Sequence, residues 1–195
     1  MIKRYLLLVL VFIFFISFGQ KKYSISEILN TFPLSKATKV KIISYNTDFL
    51  GEFALLPPPP NKKLDSIQLK EYYDHLKKPI KLAENISKEN FNEIKESKTL
   101  NLTETLELSK LLFNTCGKFP NDRRELSMCF FPRNAILFYD ESDKVFDFLE
   151  ICFECRRMRP LSEKATEING MCNKFYPKLE KYFQNKGLKT QFNPR

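Results

Sequence analysis

The chain has 195 residues, of which 43% are hydrophobic and 28% charged, and its formal net charge is +9. This length predicts a single domain, and the balance of apolar and charged residues excludes both a disordered chain and a polytopic membrane protein. Five cysteines are too few for a disulfide-dense miniprotein, and the single histidine, His75, excludes any mechanism that needs two.

Residues 1–19 have the three parts of a secretory signal peptide. A short basic start precedes an apolar run over residues 5–16, and Ser17 and Gly19 then occupy the −3 and −1 positions of a cleavage site. An uncleaved membrane anchor is the alternative, but the apolar stretch is shorter than the ~20 residues needed to cross a bilayer. We therefore expect a secreted or periplasmic protein in which residues 20–195 form one domain, with no stable membrane span after cleavage.

The first half of the mature chain is predicted to hold short elements of both kinds. Ser24 is placed to cap a short helix, and residues 38–45 alternate polar and apolar side chains as a strand does. Residues 64–76 have helical spacing, and Ser87 is expected to cap a further short helix. The four prolines at 57–60 must be extended and predict a stiff surface loop, the alternative being a proline-rich recognition motif.

Two longer helices are predicted in the second half. Asn101, followed by an acidic residue three positions later, is typical of a capping box at the start of a helix over residues 101–116. Apolar residues also recur at helical spacing over residues 171–186, where Pro177 predicts a kink or a helix start.

Between these helices lies a β-hairpin. Residues 135–139 and 145–151 are rich in β-branched and aromatic side chains, and a polar segment centred on Ser142 joins them. In the simplest register, residues equidistant from Ser142 face each other. Both faces are largely apolar, so the hairpin is predicted to be central and covered on both sides. The predicted pairs are Arg133 with Ile151, Ala135 with Leu149, Ile136 with Phe148, Phe138 with Phe146, and Tyr139 with Val145.

The same register brings three cysteines to one end of the hairpin. Cys129 faces Cys155, and a slip of one or two residues brings Cys152 into reach instead. Facing Cα atoms lie ~4.5–5.5 Å apart, which a disulfide accepts. Spacing therefore predicts that the three cysteines converge.

The residues around these cysteines resemble a pattern in small secreted proteins of Bacteroidota-type bacteria. The pattern is C-x-x-P-R-(N/H)-A-I in the first strand and I-C-F-x-C at the end of the second, and this chain has it at residues 129–136 and 151–155. The resemblance covers about residues 101–172. Asn134 stands where relatives carry a histidine, which weakens any role for an imidazole there. The resemblance implies no activity.

Four interpretations of the cysteines remain open. A structural disulfide joins Cys129 to Cys155 or Cys152, which an oxidising compartment favours. A zinc site would use Cys129, Cys152, Cys155 and Cys172. A thioredoxin-type redox pair would use Cys152 and Cys155, with the arginines that follow stabilising a thiolate. Buried free thiols are the fourth, and Cys116 is expected to be the cysteine without a partner.

Arginines concentrate near the ends of the hairpin. A patch of them there is a candidate site for an anionic partner such as an envelope polymer, a polysaccharide or a lipid head group, the alternative being an ordinary solvated basic surface. Arg123 and Arg124 lie nearby in sequence. The candidate anion-binding residues are Arg133, Arg156, Arg157 and Arg159.

Other chemistries lack a motif in this sequence. There is no Gly-x-Gly-x-x-Gly, no P-loop and no Gly-x-Ser-x-Gly, and no nucleic-acid-binding module. The carboxylates of Glu150 and Glu154 are expected on one strand face, too far apart for acid–base work. The sequence thus predicts an α+β domain with a central antiparallel hairpin packed by helices. We expect a non-catalytic binding or envelope-associated protein without a cofactor. The alternative is thiol-redox or zinc-dependent activity at Cys129, Cys152 and Cys155.

Overall fold

The computed structural model describes residues 22–50, 58, 63–92, 94, 96–118, 129–162 and 172–192. The predicted signal peptide, most of the proline run, and Arg123 and Arg124 lie outside these residues.

Within the described residues the chain forms five helices and one five-stranded sheet, which confirms the predicted α+β class. The sheet order is β2-β1-β3-β4-β5, and every neighbouring pair is antiparallel. The helices are α1 (Ile25–Leu29), α2 (Ser66–Lys77), α3 (Leu82–Ser87), α4 (Leu102–Asn114) and α5 (Phe175–Asn185). The strands are β1 (Lys39–Ser44), β2 (Glu96–Thr99), β3 (Asn134–Tyr139), β4 (Val145–Cys152) and β5 (Arg157–Pro160).

Three helices begin where a polar side chain can replace a missing backbone partner. Ser24, Asp65 and Asn101 each form a capping box at the start of α1, α2 and α4. Each such cap satisfies amide groups that the first turn leaves without a carbonyl, which stabilises a helix by about 1 kcal/mol. Ser87, predicted to begin a helix, is instead the last residue of α3. The N-cap position of α3 is held by Lys81, whose side chain forms no capping hydrogen bond.

The sheet is covered on both faces, as predicted for its central hairpin. Helices α4 and α5 lie on the same face, where Phe113, Phe175 and Phe183 pack against Ile136 and Leu149 of the strands. The opposite face carries its own cluster around Tyr45, Leu82 and Leu137, against which Ile80, Ile86, Phe91 and Ile94 pack. Helices α4 and α5 therefore cover one face only, and the second cover comes from apolar residues in and around α3.

The hairpin register differs from the predicted one. Tyr139 faces Val145 as expected, but an irregularity between Phe138 and Tyr139 shifts the rest of the ladder by one residue. A shift of one residue exchanges the faces of one strand relative to the other. As a result Glu150 shares a face with Ala135, and Leu149 shares the opposite face with Ile136.

Among the residues that the model describes, no helix combines the length and apolar character needed to cross a bilayer.

Candidate functional site

The three cysteines that the sequence predicts to converge lie together at the end of β4. Cys129 and Cys155 form a disulfide with their Cα atoms 5.9 Å apart. Cys152, the last residue of β4, keeps a free thiol and is buried. Its Sγ accepts a hydrogen bond from the amide of Cys155 at 3.2 Å. The disulfide therefore has a free sulfur beside it.

Cys116 and Cys172 form a second disulfide, with Cα atoms 5.6 Å apart. This corrects the expectation that Cys116 is the cysteine without a partner. Cys116 lies two residues after the end of α4 and Cys172 lies three residues before the start of α5, so the bond fastens the two packed helices to each other. Two disulfides fit a protein that resides outside the cytosol.

The disulfides separate the four cysteines of the predicted zinc site. Cys172 is bonded to Cys116, and Cys129 is bonded to Cys155, so the four sulfurs do not surround one point. In the described part of the chain, no group of three or more His, Cys, Asp or Glu residues is arranged to hold a metal ion.

The predicted thioredoxin-type pair also differs from the structure. Cys155 is bonded to Cys129 rather than to Cys152. A redox pair of that type opens a helix, whose dipole lowers the thiol pKa. Here Cys152 is followed by a tight turn and strand β5. Burial instead raises the pKa of the Cys152 thiol, against the opposing effect of hydrogen bonds from the amides of Phe131 and Cys155.

A cleft of about 570 Å³ opens beside this cysteine cluster. One wall is the segment Phe130–Pro132, which directly follows Cys129, and the facing wall is the segment Pro79–Glu84. Its volume lies within the ~300–1,000 Å³ of typical small-molecule sites. The remaining lining residues are Asn46, Phe49, Glu150 and Arg159.

Asn46 holds the two walls of the cleft at a fixed separation. Its side-chain amide donates to the carbonyls of Ile80 at 3.2 Å and Pro132 at 3.1 Å, and its Oδ1 accepts from the amide of Ile80 at 2.8 Å. Asn46 is 3% exposed, so these hydrogen bonds are shielded from water. The cleft is therefore built into the fold rather than formed by loose loops.

A buried carboxylate forms the polar end of the cleft. Glu150 accepts a hydrogen bond on Oε1 from the hydroxyl of Tyr45 at 2.9 Å, and its Oε2 accepts from Nε of Arg159 at 3.0 Å. Nη2 of Arg159 donates to the same oxygen. Burial raises the pKa of Tyr45 well above its ordinary value, and the neighbouring Glu150 carboxylate adds to the effect. The phenol therefore stays protonated and keeps donating to Glu150.

Two of the four predicted anion-binding arginines place their guanidinium groups over the ring of Phe130 at the cleft wall. The guanidinium carbon of Arg159 lies 4.8 Å from the centre of the Phe130 ring, and that of Arg157 lies 5.7 Å away. Both belong to β5, where residues two apart share a face. Arg156 is exposed in the turn before β5, with a left-handed φ of 49°.

Arg133, the fourth predicted residue, does not join this group. It is 6% exposed, and its Nη1 donates to the carbonyls of Asn46 at 2.6 Å and Phe49 at 2.7 Å. The other side of its guanidinium bonds both carboxylate oxygens of Glu154. Arg133 thus ties the segment Asn46–Phe49 to the sheet.

Sequence reasoning missed most of the cleft. Asn46, Phe49 and Phe130 carry no motif, because their arrangement depends on the tertiary packing of three distant segments. In the sequence, Glu150 stands out as half of a carboxylate pair with Glu154 and as a partner for nearby arginines, and the second of these matches its pair with Arg159. Glu154 lies beyond the end of β4 and bonds Arg133, so the two carboxylates do not share a strand.

Comparison with known proteins finds no relative: no protein-family model, no curated protein and no solved structure matches the chain. The chemistry of the cleft therefore carries the functional argument.

Proposed function

We propose that this chain is a secreted or periplasmic, non-catalytic binding domain whose cleft holds a small anionic amphipathic molecule. The apolar part of the ligand would lie between Ile80, Leu82 and the aromatic wall at Phe130 and Phe131. Its anionic group would lie at Arg159. The signal-peptide pattern of residues 1–19 and the two disulfides support the location.

The observation that carries the proposal is that Glu150 uses both of its carboxylate oxygens in hydrogen bonds, whereas Arg159 keeps a donor group exposed to the cleft. Both oxygens of Glu150 already accept hydrogen bonds, and its side chain is 7% exposed. The Arg159 side chain is 64% exposed, and within the described residues its Nη1 has no acceptor. A guanidinium has five N–H donors, so Arg159 can keep its pair with Glu150 and still bind an anion.

The charges near the cleft also favour a negatively charged ligand. Arg156, Arg157 and Arg159 lie within four residues, and the described residues supply them with one carboxylate partner, Glu150. On the facing wall, Lys81 and Glu84 pair with each other at 3.0 Å and contribute no net charge. An anionic group is therefore attracted to the β5 side of the cleft.

The proposal can be tested with a fluorescent probe of matching chemistry. Anilinonaphthalene sulfonate has an aromatic body and one anionic group, and phenylnaphthylamine has the same body without the charge. We expect Glu150→Gln to bind the sulfonate about threefold more tightly, because Arg159 loses its competing counter-charge. Adding Arg159→Gln to that variant should then weaken sulfonate binding about tenfold. The glutamine at position 150 still accepts from Tyr45, so neither variant leaves a buried charge unpaired.

The neutral probe and an exposed arginine provide the controls. Phenylnaphthylamine affinity should change less than about twofold in both variants, since only the charged group contacts Arg159. Arg156→Gln removes one surface charge outside the cleft lining and should leave sulfonate affinity close to that of the wild type. Equal changes for both probes, or none for either, would contradict the proposal.

A further inference from the structure

Cys152 lies where its sulfur can reach the neighbouring disulfide. Its Sγ accepts from the amide of Cys155 at 3.2 Å, and Sγ of Cys155 is three covalent bonds from that nitrogen. The amide of Phe131, two residues after Cys129, also acts on this sulfur and lowers the pKa of the Cys152 thiol, although burial raises that pKa by more. The free thiol therefore lies beside the backbone of Cys155, one half of the Cys129–Cys155 disulfide, and close to the segment that follows Cys129, the other half.

We propose that Cys152 exchanges with this disulfide, so that Cys129 alternates between Cys155 and Cys152 as its partner and thereby moves the aromatic wall of the cleft. The Cys152 thiolate attacks Sγ of Cys129, and the new bond forms as the Cys129–Cys155 bond breaks. Cys155 leaves as a thiolate and takes up the proton that Cys152 released. One thiol and one disulfide are present before and after, so the step needs no oxidant or reductant.

The surroundings of Cys152 decide how much of it is thiolate. Burial raises the pKa of the Cys152 thiol and the Glu154 carboxylate adds to the effect, while the amides of Phe131 and Cys155 and the guanidinium of Arg133 oppose it. The thiol form therefore prevails at neutral pH, and exchange is expected to be slow there and faster in alkaline solution.

The exchange has a direct route to the cleft. Cys129 is adjacent in sequence to Phe130, whose ring is in contact with the guanidinium groups of Arg157 and Arg159. When Cys129 changes partner from Cys155 in the β4–β5 turn to Cys152 at the end of β4, we expect the neighbouring Phe130 to shift with it. This consequence rests on the proposed function, but the exchange itself does not.

Thiol counting after a single substitution tests the exchange. In Cys155→Ser, Cys129 should bond Cys152, which leaves no free thiol in the unfolded, oxidised protein, against one in the wild type. The matched control is Cys116→Ser, which leaves Cys172 without its disulfide partner and should show two free thiols, Cys152 and Cys172. Two thiols in Cys155→Ser would overturn the proposal.

Peptide mapping of the wild-type protein gives a second test that does not depend on how Cys155→Ser folds. Cleavage after Glu154 separates Cys152 from Cys155. After alkaline incubation, acid quenching and thiol blocking, we expect both Cys129–Cys155 and Cys129–Cys152 peptides. Cys129–Cys155 alone would overturn the proposal.

The affinity of the cysteine variants for the sulfonate probe tests whether the exchange moves the cleft wall. Cys152→Ala holds the Cys129–Cys155 form and should bind like the wild type, whereas Cys155→Ser should bind about tenfold more weakly because Phe130 is displaced. Equal affinity of the two variants overturns the link. If Cys152→Ala binds no probe, the proposed function fails, and the thiol count still decides the exchange.

Discussion

Replacing Arg133 with methionine is expected to lower the free energy of unfolding by about 3 kcal/mol, because it leaves buried carbonyl groups without their donors. The guanidinium donates to Asn46 and Phe49, and it is nearly inaccessible to water. Methionine keeps the apolar stem, so the loss reports the hydrogen bonds rather than packing. Urea unfolding followed by circular dichroism measures the change.

Arg157→Met is the matched control for this substitution. Arg157 is half-buried against Phe130, and such a cation–π contact contributes about 1 kcal/mol or less. If both variants lose the same stability, Arg133 is not the structural residue that its contacts indicate. A small loss of stability in Arg133→Met would mean that Arg133 behaves like the exposed arginines with which the sequence grouped it.

Cys116→Ser is expected to lower the free energy of unfolding by about 4 kcal/mol, slightly more than the roughly 3.5 kcal/mol expected for Cys129→Ser. The Cys116–Cys172 bond spans 56 residues and the Cys129–Cys155 bond spans 26, so the first restricts the unfolded chain more. The sequence alone predicts the opposite order, because it treats Cys116 as unpaired.

Thermal and urea unfolding under oxidising and reducing conditions checks this result. In the presence of reductant, the difference between Cys116→Ser and the wild type should largely disappear, since both then lack the bond. If Cys116→Ser matches the wild type without reductant, the link between α4 and α5 does not exist.

The parts of the fold that local patterns determine could be predicted. The capped starts of α1 and α4 follow from Ser24 and Asn101, and the two apolar strands joined by a polar turn predict the central hairpin. The convergence of Cys129 with Cys155 depends only on spacing about that turn. It holds despite the shifted register, because Cys129 precedes the start of β3 and Cys155 follows the end of β4, so neither is fixed by the ladder.

The parts that failed depend on contacts between distant segments. The irregularity beside Phe138 is a packing feature with no signal in the sequence, and it exchanges the faces of β4. Strands β2 and β5 are short and polar and carry no strand pattern in their sequence. They become strands because they pair with β1 and β4 in the folded protein. The Cys116–Cys172 bond requires that two helices pack side by side, which their periodicity does not specify.

The same reason explains what the sequence revealed of the site. Arg157 and Arg159 were candidates because arginines concentrate near the hairpin ends; Arg159 lines the cleft, and Arg157 contacts Phe130 of the cleft wall. Arg133 was grouped with them because it also lies near an end of the hairpin, but its hydrogen bonds to Asn46, Phe49 and Glu154 hold it in a buried position. The apolar walls come from residues near 49, 80 and 130, which only the folded chain brings together.

Amide chemical-shift mapping of the folded protein shows whether the anionic probe binds in the cleft. On titration with anilinonaphthalene sulfonate, we expect the largest shift changes on Ile80, Leu82, Phe130, Phe131 and Arg159, and we expect them to saturate together. Changes centred on the α4–α5 face, or the absence of saturable changes at the cleft, would contradict binding at this site.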